Sequence, residues 1–317
     1  MSAAFIFPGQ GSQSVGMGKA LAAAFPAAQR VFDEVDDALG QKLSTIMWDG
    51  SSDELTLTEN AQPALMAMSL AVLRVLEEET GLELKSGGRF VAGHSLGEYS
   101  ALAAAGSLAI GDTARLLRIR GQAMQKAVPV GAGAMAAVLG LELAEVAAVA
   151  ADAAQNDICQ VANDNGGGQV VLSGTKAAVE RAAEVAKARG AKRAIMLPVS
   201  APFHCALMQP AAEVMREALA AVKINPPVIP LVANVTASPI TDPGEITKRL
   251  IEQVTGTVRW RECVAYMAGN EVSTFYELGA GKVLSGLVKR IAPGATGIAI
   301  GTPEDVAAFM TARATGV

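Results

Sequence analysis

Phe90-Val91-Ala92-Gly93-His94-Ser95-Leu96-Gly97-Glu98 is the stretch around which the chain reads most clearly. Arg89 to Ala92 is a short apolar run suited to a buried strand, and Glu98 to Ala105 is compatible with a helix. Between them lies Gly-His-Ser-Leu-Gly, a Gly-x-Ser-x-Gly pattern framed by strand, sharp turn and helix. That frame separates it from a chance match in an Ala/Gly-rich chain. The turn strains the serine backbone and lifts its hydroxyl clear of the sheet, and the flanking glycines remove side chains that would collide there. The helix that follows aims its free N–H groups at the place where negative charge would develop.

Composition bounds what this motif can serve. With 317 residues, 51% hydrophobic and 18% charged, the chain can bury a large core and exceeds one typical domain. A net charge of −5 argues against a general nucleic-acid binder. Ala3 to Phe7 stops at Pro8 without a basic leader, and the longest apolar stretches, such as Ala101 to Ile110, are too short to cross a bilayer. Cys159, Cys205 and Cys263 are far apart, with neither disulfide nor metal spacing. Reduced thiols of this kind fit a cytoplasmic protein with no metal and no membrane association.

Outward from the elbow, Ala3 to Phe7 predicts a first strand, followed by the Gly-rich loop Pro8-Gly9-Gln10-Gly11-Ser12-Gln13. Helices are expected over Lys19 to Asp37 and from Thr58 to about Glu79, the second with apolar residues at helical spacing (Leu65, Met68, Leu73, Leu76) and stopped by Gly81. Asp112 is placed to cap a helix carrying Arg115, Arg118 and Arg120.

From about Pro129 the texture changes. Gly133–Leu139 reads as strand, Glu142–Asp152 as helix, Ile158–Ala162 and Gln169–Ser173 as strands about an Asn/Gly turn, Thr175–Arg189 as helix and Arg193–Val199 as strand. The order β-α-β-β-α-β is the ferredoxin-like plan. After it, α/β alternation resumes: helices over Leu207–Val222, Pro243–Thr255 and Val283–Ile291, strands over Val228–Ala233, Ser273–Leu278 and Gly297–Ile300, and a terminal helix. The expected architecture is α/β, with a small domain at 129–198 inserted into a larger one formed by 1–128 and 199–317.

A serine hydroxyl needs a base, and the chain has two histidines. His94 adjoins Ser95, where neighbouring side chains point apart, so it suits packing or a hydrogen bond inside the elbow. His204, in Val199-Ser200-Ala201-Pro202-Phe203-His204, is the candidate base; the alternative is a structural histidine capping the helix near Leu207. Asp152, Asp157 and Asp164, the acids between serine and histidine considered for a triad, fall in the inserted segment. A Ser–His dyad, with His204 oriented by a backbone carbonyl or an amide, is more natural. Oxyanion donors are nominated as the N–H of Leu96 and, from the Pro8–Gly11 loop, the N–H of Gln10, unless that loop is an ordinary strand–helix turn. Cys205 reads as a buried structural thiol.

Taken together, Phe7-Pro8-Gly9-Gln10-Gly11-Ser12-Gln13, Gly93-His94-Ser95-Leu96-Gly97-Glu98, Arg120-Gly121-Gln122-Ala123-Met124-Gln125, Gly133-Ala134-Met135-Ala136-Ala137-Val138, Pro202-Phe203-His204-Cys205 and Glu277-Leu278-Gly279 resemble the malonyl-CoA:acyl-carrier-protein transacylases of bacterial type II fatty acid synthesis. The resemblance implies an α/β-hydrolase-like large domain with an inserted ferredoxin-like domain. It implies that Ser95 carries the acyl group, His204 acts as base and acid, Gln10 and Leu96 form the oxyanion hole, and the Gln253 carbonyl orients the histidine. It implies that Arg120 holds the malonyl carboxylate, for which a guanidinium fork is suited; the bland alternative is a surface arginine like Arg115 or Arg118. By analogy, bulky Phe203 disfavours a branched acyl group. Gly256-Thr257 stands where the family more usually has Asn-Pro.

The implied substrates are malonyl-CoA, a coenzyme A thioester, and an acidic acyl carrier protein, with no permanently bound cofactor and a monomeric enzyme. Lys187, Arg189, Lys192 and Arg193 are either a docking patch for that carrier or a solvated helix end. A trans-acting polyketide acyltransferase and a serine esterase or thioesterase are the alternatives.

Overall fold

The computed structural model describes residues 2–199 and 201–315; Ser200, in the stretch leading to His204, lies outside the described residues. In chain order the strands are β1 (Ala3–Phe7), β2 (Phe90–Gly93), β3 (Gly133–Leu139), β4 (Cys159–Asp164), β5 (Gln169–Thr175), β6 (Arg193–Met196), β7 (Leu231–Val232), β8 (Pro239–Ile240), β9 (Thr274–Leu278) and β10 (Thr296–Ile300). They form two sheets, a six-stranded one ordered β10-β9-β1-β2-β7-β8 and a four-stranded one ordered β4-β5-β3-β6.

The larger sheet is parallel except for β8, which runs antiparallel to β7. Its central strands are short unbroken apolar runs because both faces are covered: every residue of β1 is buried. Register then fixes where chemistry can occur. Phe7 pairs with Gly93 and Val91 with Leu231, so β1, β2 and β7 end side by side at their carboxyl ends. The Gly-rich loop, the elbow and the segment after β7 are thereby brought to one edge, the usual ligand edge of such sheets.

The smaller sheet is wholly antiparallel. Alternation divides its two faces. Ala136, Val138, Val170 and Leu172 pack under the helices Leu143–Ala154 and Lys176–Ala188, whereas Met135, Ala137 and Val171 join the main core. The two sheets are pinned together where β4 meets the chain after the helix Pro243–Thr255. Asp164 N–H donates to the Val258 carbonyl, Val258 N–H to that of Ala162, and Arg261 pairs with buried Asp164 at 2.8 Å. Gly256 has an extended backbone (φ −91°, ψ 156°), so its dihedrals do not call for glycine, but a Cβ there would lie 2.8 Å from the Glu252 carbonyl oxygen and 2.9 Å from the Val235 side chain, and the loop buries Val258 and Trp260.

Several boundaries differ from the sequence reading for local reasons. The helix expected over Lys19–Asp37 is two, Lys19–Ala24 and Pro26–Leu39, because Pro26 forces Phe25 out of helical geometry (φ −131°, ψ 117°). Asp112 is not a cap. The helix Ile110–Lys126 starts after Ala109, and Asp112 sits inside its first turn accepting from Arg115. The segment 207–222 divides into a 3₁₀ turn (Ala206–Met208) and a helix (Gln209–Ala220), and β6 ends at Met196. The helix Thr58–Thr80 is buried on every face from Asn60 to Leu73, wider than the stripe its apolar spacing predicts. Helices Leu43–Asp49 and Trp260–Gly269 had no sequence reading. No helix among the described residues is long and apolar enough to cross a membrane.

Candidate active site

The elbow is built as a close contact of backbones. A Cβ on Gly93 would lie 1.9 Å from the Gly97 carbonyl group, and one on Gly97 would lie 2.3 Å from the Phe7 carbonyl oxygen. Glycine at both positions lets the helix Gly97–Ala104 leave the sheet immediately after β2. Ser95 is held at φ 54°, a left-handed conformation unfavourable for an L-residue with a side chain. Its N–H donates to the Asn234 side-chain oxygen at 2.9 Å, and Asn234 in turn donates to the Gly93 carbonyl at 2.8 Å. The strained residue is thus tied to the strand on either side of it.

His204 is also left-handed, at φ 58°, and nearly fully buried. Its Nε2 lies 2.7 Å from Ser95 Oγ and its Nδ1 2.8 Å from the Gln253 backbone carbonyl. A carbonyl can only accept, so Nδ1 carries the proton and Nε2 is free to accept from the serine. Burial first, then the charge of Arg120, pushes the imidazole down to about 3, against the bond from Nδ1. The ring is therefore neutral near pH 7. None of the three acids considered for a triad reaches it: Asp152, Asp157 and Asp164 pair with Arg189, Arg181 and Arg261.

Arg120 is 1% exposed and reaches the same centre. It donates to the Gln62 and Gln253 side-chain oxygens, both at 2.8 Å, and to Ser95 Oγ at 3.2 Å, and its guanidinium lies 5.6 Å from the Tyr99 ring centroid. No carboxylate of the described residues forms an ion pair with it, and its Nε is buried without a partner. Burial lowers its pKa, but an arginine starts so high that it stays charged. Arg115 is a half-exposed surface residue as expected, whereas Arg118 is not: its NH1 donates to Asn60 while Nε and NH2 are buried.

These groups border a cavity of about 340 Å³. Gln10, Ser95, Arg120, Phe203 and His204 line it, with Met124, Met135, Leu197 and Val199 adding apolar wall. Among the hydrogen bonds of the described residues, none uses the N–H of Gln10 or of Leu96. His94 turns away from the serine: its Nε2 meets Asn165 Oδ1 at 2.9 Å and its ring packs against Trp260, joining the elbow to the β4–β5 turn. Cys205 is fully buried, its thiol on the Pro202 carbonyl. No three His, Cys, Asp or Glu side chains of the described residues converge as a metal site.

Sequence reading missed Gln62, Asn234 and Glu98. Each left a faint signal, a polar side chain inside an otherwise apolar run or directly after a strand. Glu98 is fully buried and accepts from Gln253 Nε2 and from Asn234 N–H; burial pushes its pKa up to about 7 against those bonds and the charge of Arg120.

The family described as the acyl transferase domain matches residues 4–293. A curated relative, the malonyl CoA-acyl carrier protein transacylase of Bacillus subtilis (strain 168), is 48% identical over 304 residues, covering 96% of this chain and 94% of its own. Among solved structures, an acyl-carrier-protein S-malonyltransferase from Bartonella henselae superposes with a TM-score of 0.96 at 56% identity, covering 100% of both chains. Another, a malonyl-transacylase solved in complex with a type II polyketide synthase acyl-carrier protein, superposes with a TM-score of 0.95 at 40% identity over 98% of this chain and 99% of that one. The chain belongs to the malonyl-CoA:acyl-carrier-protein transacylase family.

Proposed function

We propose that the chain moves a malonyl group from malonyl-CoA to the phosphopantetheine thiol of an acyl carrier protein through an ester on Ser95. The observation that carries this reading is Arg120: a buried cation held by amide oxygens, without a carboxylate partner, 3.2 Å from the nucleophile. A buried charge left this way is costly unless an anion joins it. A thioester acyl chain ending in a carboxylate supplies that anion while its carbonyl lies at Ser95.

In the first half-reaction Ser95 Oγ attacks the thioester carbonyl and its proton passes to His204 Nε2. The oxyanion points at the unpartnered N–H groups of Leu96 and Gln10; such donors are typically worth ~3–4 kcal/mol each. Collapse breaks the C–S bond, and the proton on His204 leaves with the coenzyme A sulfur. The carrier's thiol then enters, gives its proton to His204 and attacks the ester; the Ser95 oxygen regains the proton as it leaves. The Gln253 carbonyl holds His204 in the required tautomer and stabilises the imidazolium formed between these steps. Coenzyme A is substrate here, and the chemistry calls on no resident cofactor or metal. Phe203 narrows the acyl pocket against a branched group by ~1–3 kcal/mol.

We read the architecture as an α/β-hydrolase-like body formed by 1–128 and 199–317, with a ferredoxin-like domain at 129–198. The β4-β5-β3-β6 order supports the second part, being the spatial order of a β-α-β-β-α-β unit. For docking of an acidic carrier, Lys187 and Arg189 are partly neutralised by Glu184 and Asp152, which leaves Lys192 and Arg193 as the cations without an ion pair among the described residues. The setting we assign is cytoplasmic.

The test is intact-mass measurement after mixing with malonyl-CoA. A stable adduct of one malonyl group, absent in Ser95→Ala and discharged by carrier protein, is expected. Coenzyme A release without an adduct, and without transfer, would make the chain a hydrolase instead.

A further inference from the structure

The environment of Arg120 contains a second buried charge that the reaction above does not use. Glu98 follows the nucleophile by three residues, is 0% exposed, and forms no ion pair with Arg120 or any other cation of the described residues. The side-chain amide of Gln253 stands between the two. Its Nε2 donates to Glu98 and to the Ser95 carbonyl at 2.9 Å, and its Oε1 accepts from Arg120 at 2.8 Å. The other Glu98 oxygen accepts from Asn234 N–H at 3.4 Å, and Asn234 Oδ1 holds the Ser95 N–H.

We propose that Glu98 is a positioning residue for the carboxylate clamp: it fixes the Gln253 amide with its oxygen toward Arg120 and so holds the guanidinium over Ser95 in the empty site. The proposal rests on the reading of Arg120 as that clamp. A glutamate in direct contact with Arg120 would fill the guanidinium fork and compete with substrate. With a neutral amide between them, the opposite charges still attract, yet the fork keeps a face for the incoming carboxylate. The amide also transmits orientation. Its nitrogen must face acceptors and its oxygen must face donors, and the carboxylate is the one charged acceptor on the nitrogen side. A carboxamide at position 98 offers one acceptor and one donor where two N–H groups now point. One of those two is then met donor to donor, and the Gln253 amide and Asn234 lose their common anchor. The other ionisable groups facing Glu98 are Tyr99 and Cys263, both pushed up by burial and neutral near pH 7, so the charge pattern around the amide is that of Glu98 and Arg120.

The experiment compares Glu98→Gln, Arg120→Ala and the unaltered enzyme in kcat/KM for malonyl-CoA and acetyl-CoA, from pH 5.5 to 8.5 as chosen assay limits. Glu98→Gln is expected to lower malonyl kcat/KM about 10- to 100-fold, mainly through KM, and the acetyl value less than about threefold. In the unaltered enzyme the malonyl preference is expected to fall as pH drops through about 7, and this limb is lost in the variant. Equal losses for both thioesters would reduce Glu98 to a structural role, and tighter malonyl binding would make it a competitor of substrate; either overturns the proposal. Should Glu98→Gln fail to fold, the pH dependence of the preference in the unaltered enzyme decides, and a flat preference overturns it. A preference that survives in Arg120→Ala refutes the clamp itself, a separate result from the failure of Glu98.

Discussion

Replacing Arg120 with alanine isolates what the buried cation does. In the free site it makes three hydrogen bonds, two to amide oxygens and one to Ser95 Oγ, and has an unpartnered Nε. A malonyl carboxylate on the guanidinium adds two charge-assisted bonds to a cation that is itself 1% exposed. Bonds to charged groups are worth ~1.5–3 kcal/mol each, so the pair contributes ~3–6 kcal/mol to binding the acyl transition state. Losing it lowers malonyl kcat/KM by about 10²- to 10⁴-fold. Acetyl-CoA has no carboxylate, and its loss is confined to the 3.2 Å contact with Ser95 and to altered packing, about tenfold at most. The readout is the malonyl-to-acetyl ratio of kcat/KM, measured at fixed ionic strength with the Ser95 adduct followed by intact mass. A ratio unchanged in Arg120→Ala would refute the reasoning, whatever happens to the absolute rates.

Two further outcomes follow from the same structure. Gly93→Ala puts a Cβ 1.9 Å from the Gly97 backbone, so the variant is expected to lose at least ~3 kcal/mol in urea unfolding, or to be insoluble; near-native stability would show that the elbow yields more easily than described. Glu98 is raised from 4.5 to about 7 by burial, so the folded state binds its proton more tightly than the unfolded chain does. Stability from this group is full below pH 4.5 and lost as pH rises through about 7, on the order of 3 kcal/mol; the stability difference between the unaltered enzyme and Glu98→Gln should change by that amount across the window, and a pH-independent difference would disprove the shift.

What the sequence made legible is what is encoded locally. The strand–turn–helix around Ser95 announces itself because Gly93 is required by backbone contact with Gly97, four residues on, whereas the need for glycine at Gly97 comes from the distant Phe7 and Pro8 carbonyls. The β-α-β-β-α-β order was readable because short apolar runs are separated by helical stretches and an Asn/Gly turn; β3 and β5 are buried continuously through their centres, so period-2 patterning did not mark them. Proline and cap effects shifted the ends: Pro26 divided one helix, and the start of Ile110–Lys126 lies two residues before Asp112 because no side chain caps it. The environment of Arg120 was not legible. Gln62, Glu98, Asn234 and Gln253 come from four distant segments, and each on its own is a polar residue beside apolar ones. Parallel pairing of β1, β2 and β7 brings three of the site's loops together, and that pairing is a property of the whole chain.

With Ser95 as nucleophile, His204 as base and Arg120 as carboxylate clamp, as proposed above, the same arrangement would couple substrate recognition to the chemical step. Arg120 reaches both proposed partners at once: it donates to Ser95 Oγ, and its charge is the second cause, after burial, of the depressed basicity of His204. In the empty site this keeps the histidine neutral but makes it a weak acceptor of the serine proton. When the carboxylate of an acyl chain occupies the guanidinium, the positive charge felt at the imidazole is offset, and the stability of the imidazolium rises. A substrate with the carboxylate therefore strengthens the base that activates its own attack, and one without it leaves the base weak. On this proposal, discrimination is expected in kcat as well as in KM, and Arg120→Ala should remove the kcat component for malonyl-CoA; a malonyl kcat unchanged in Arg120→Ala would show that the carboxylate acts on binding alone.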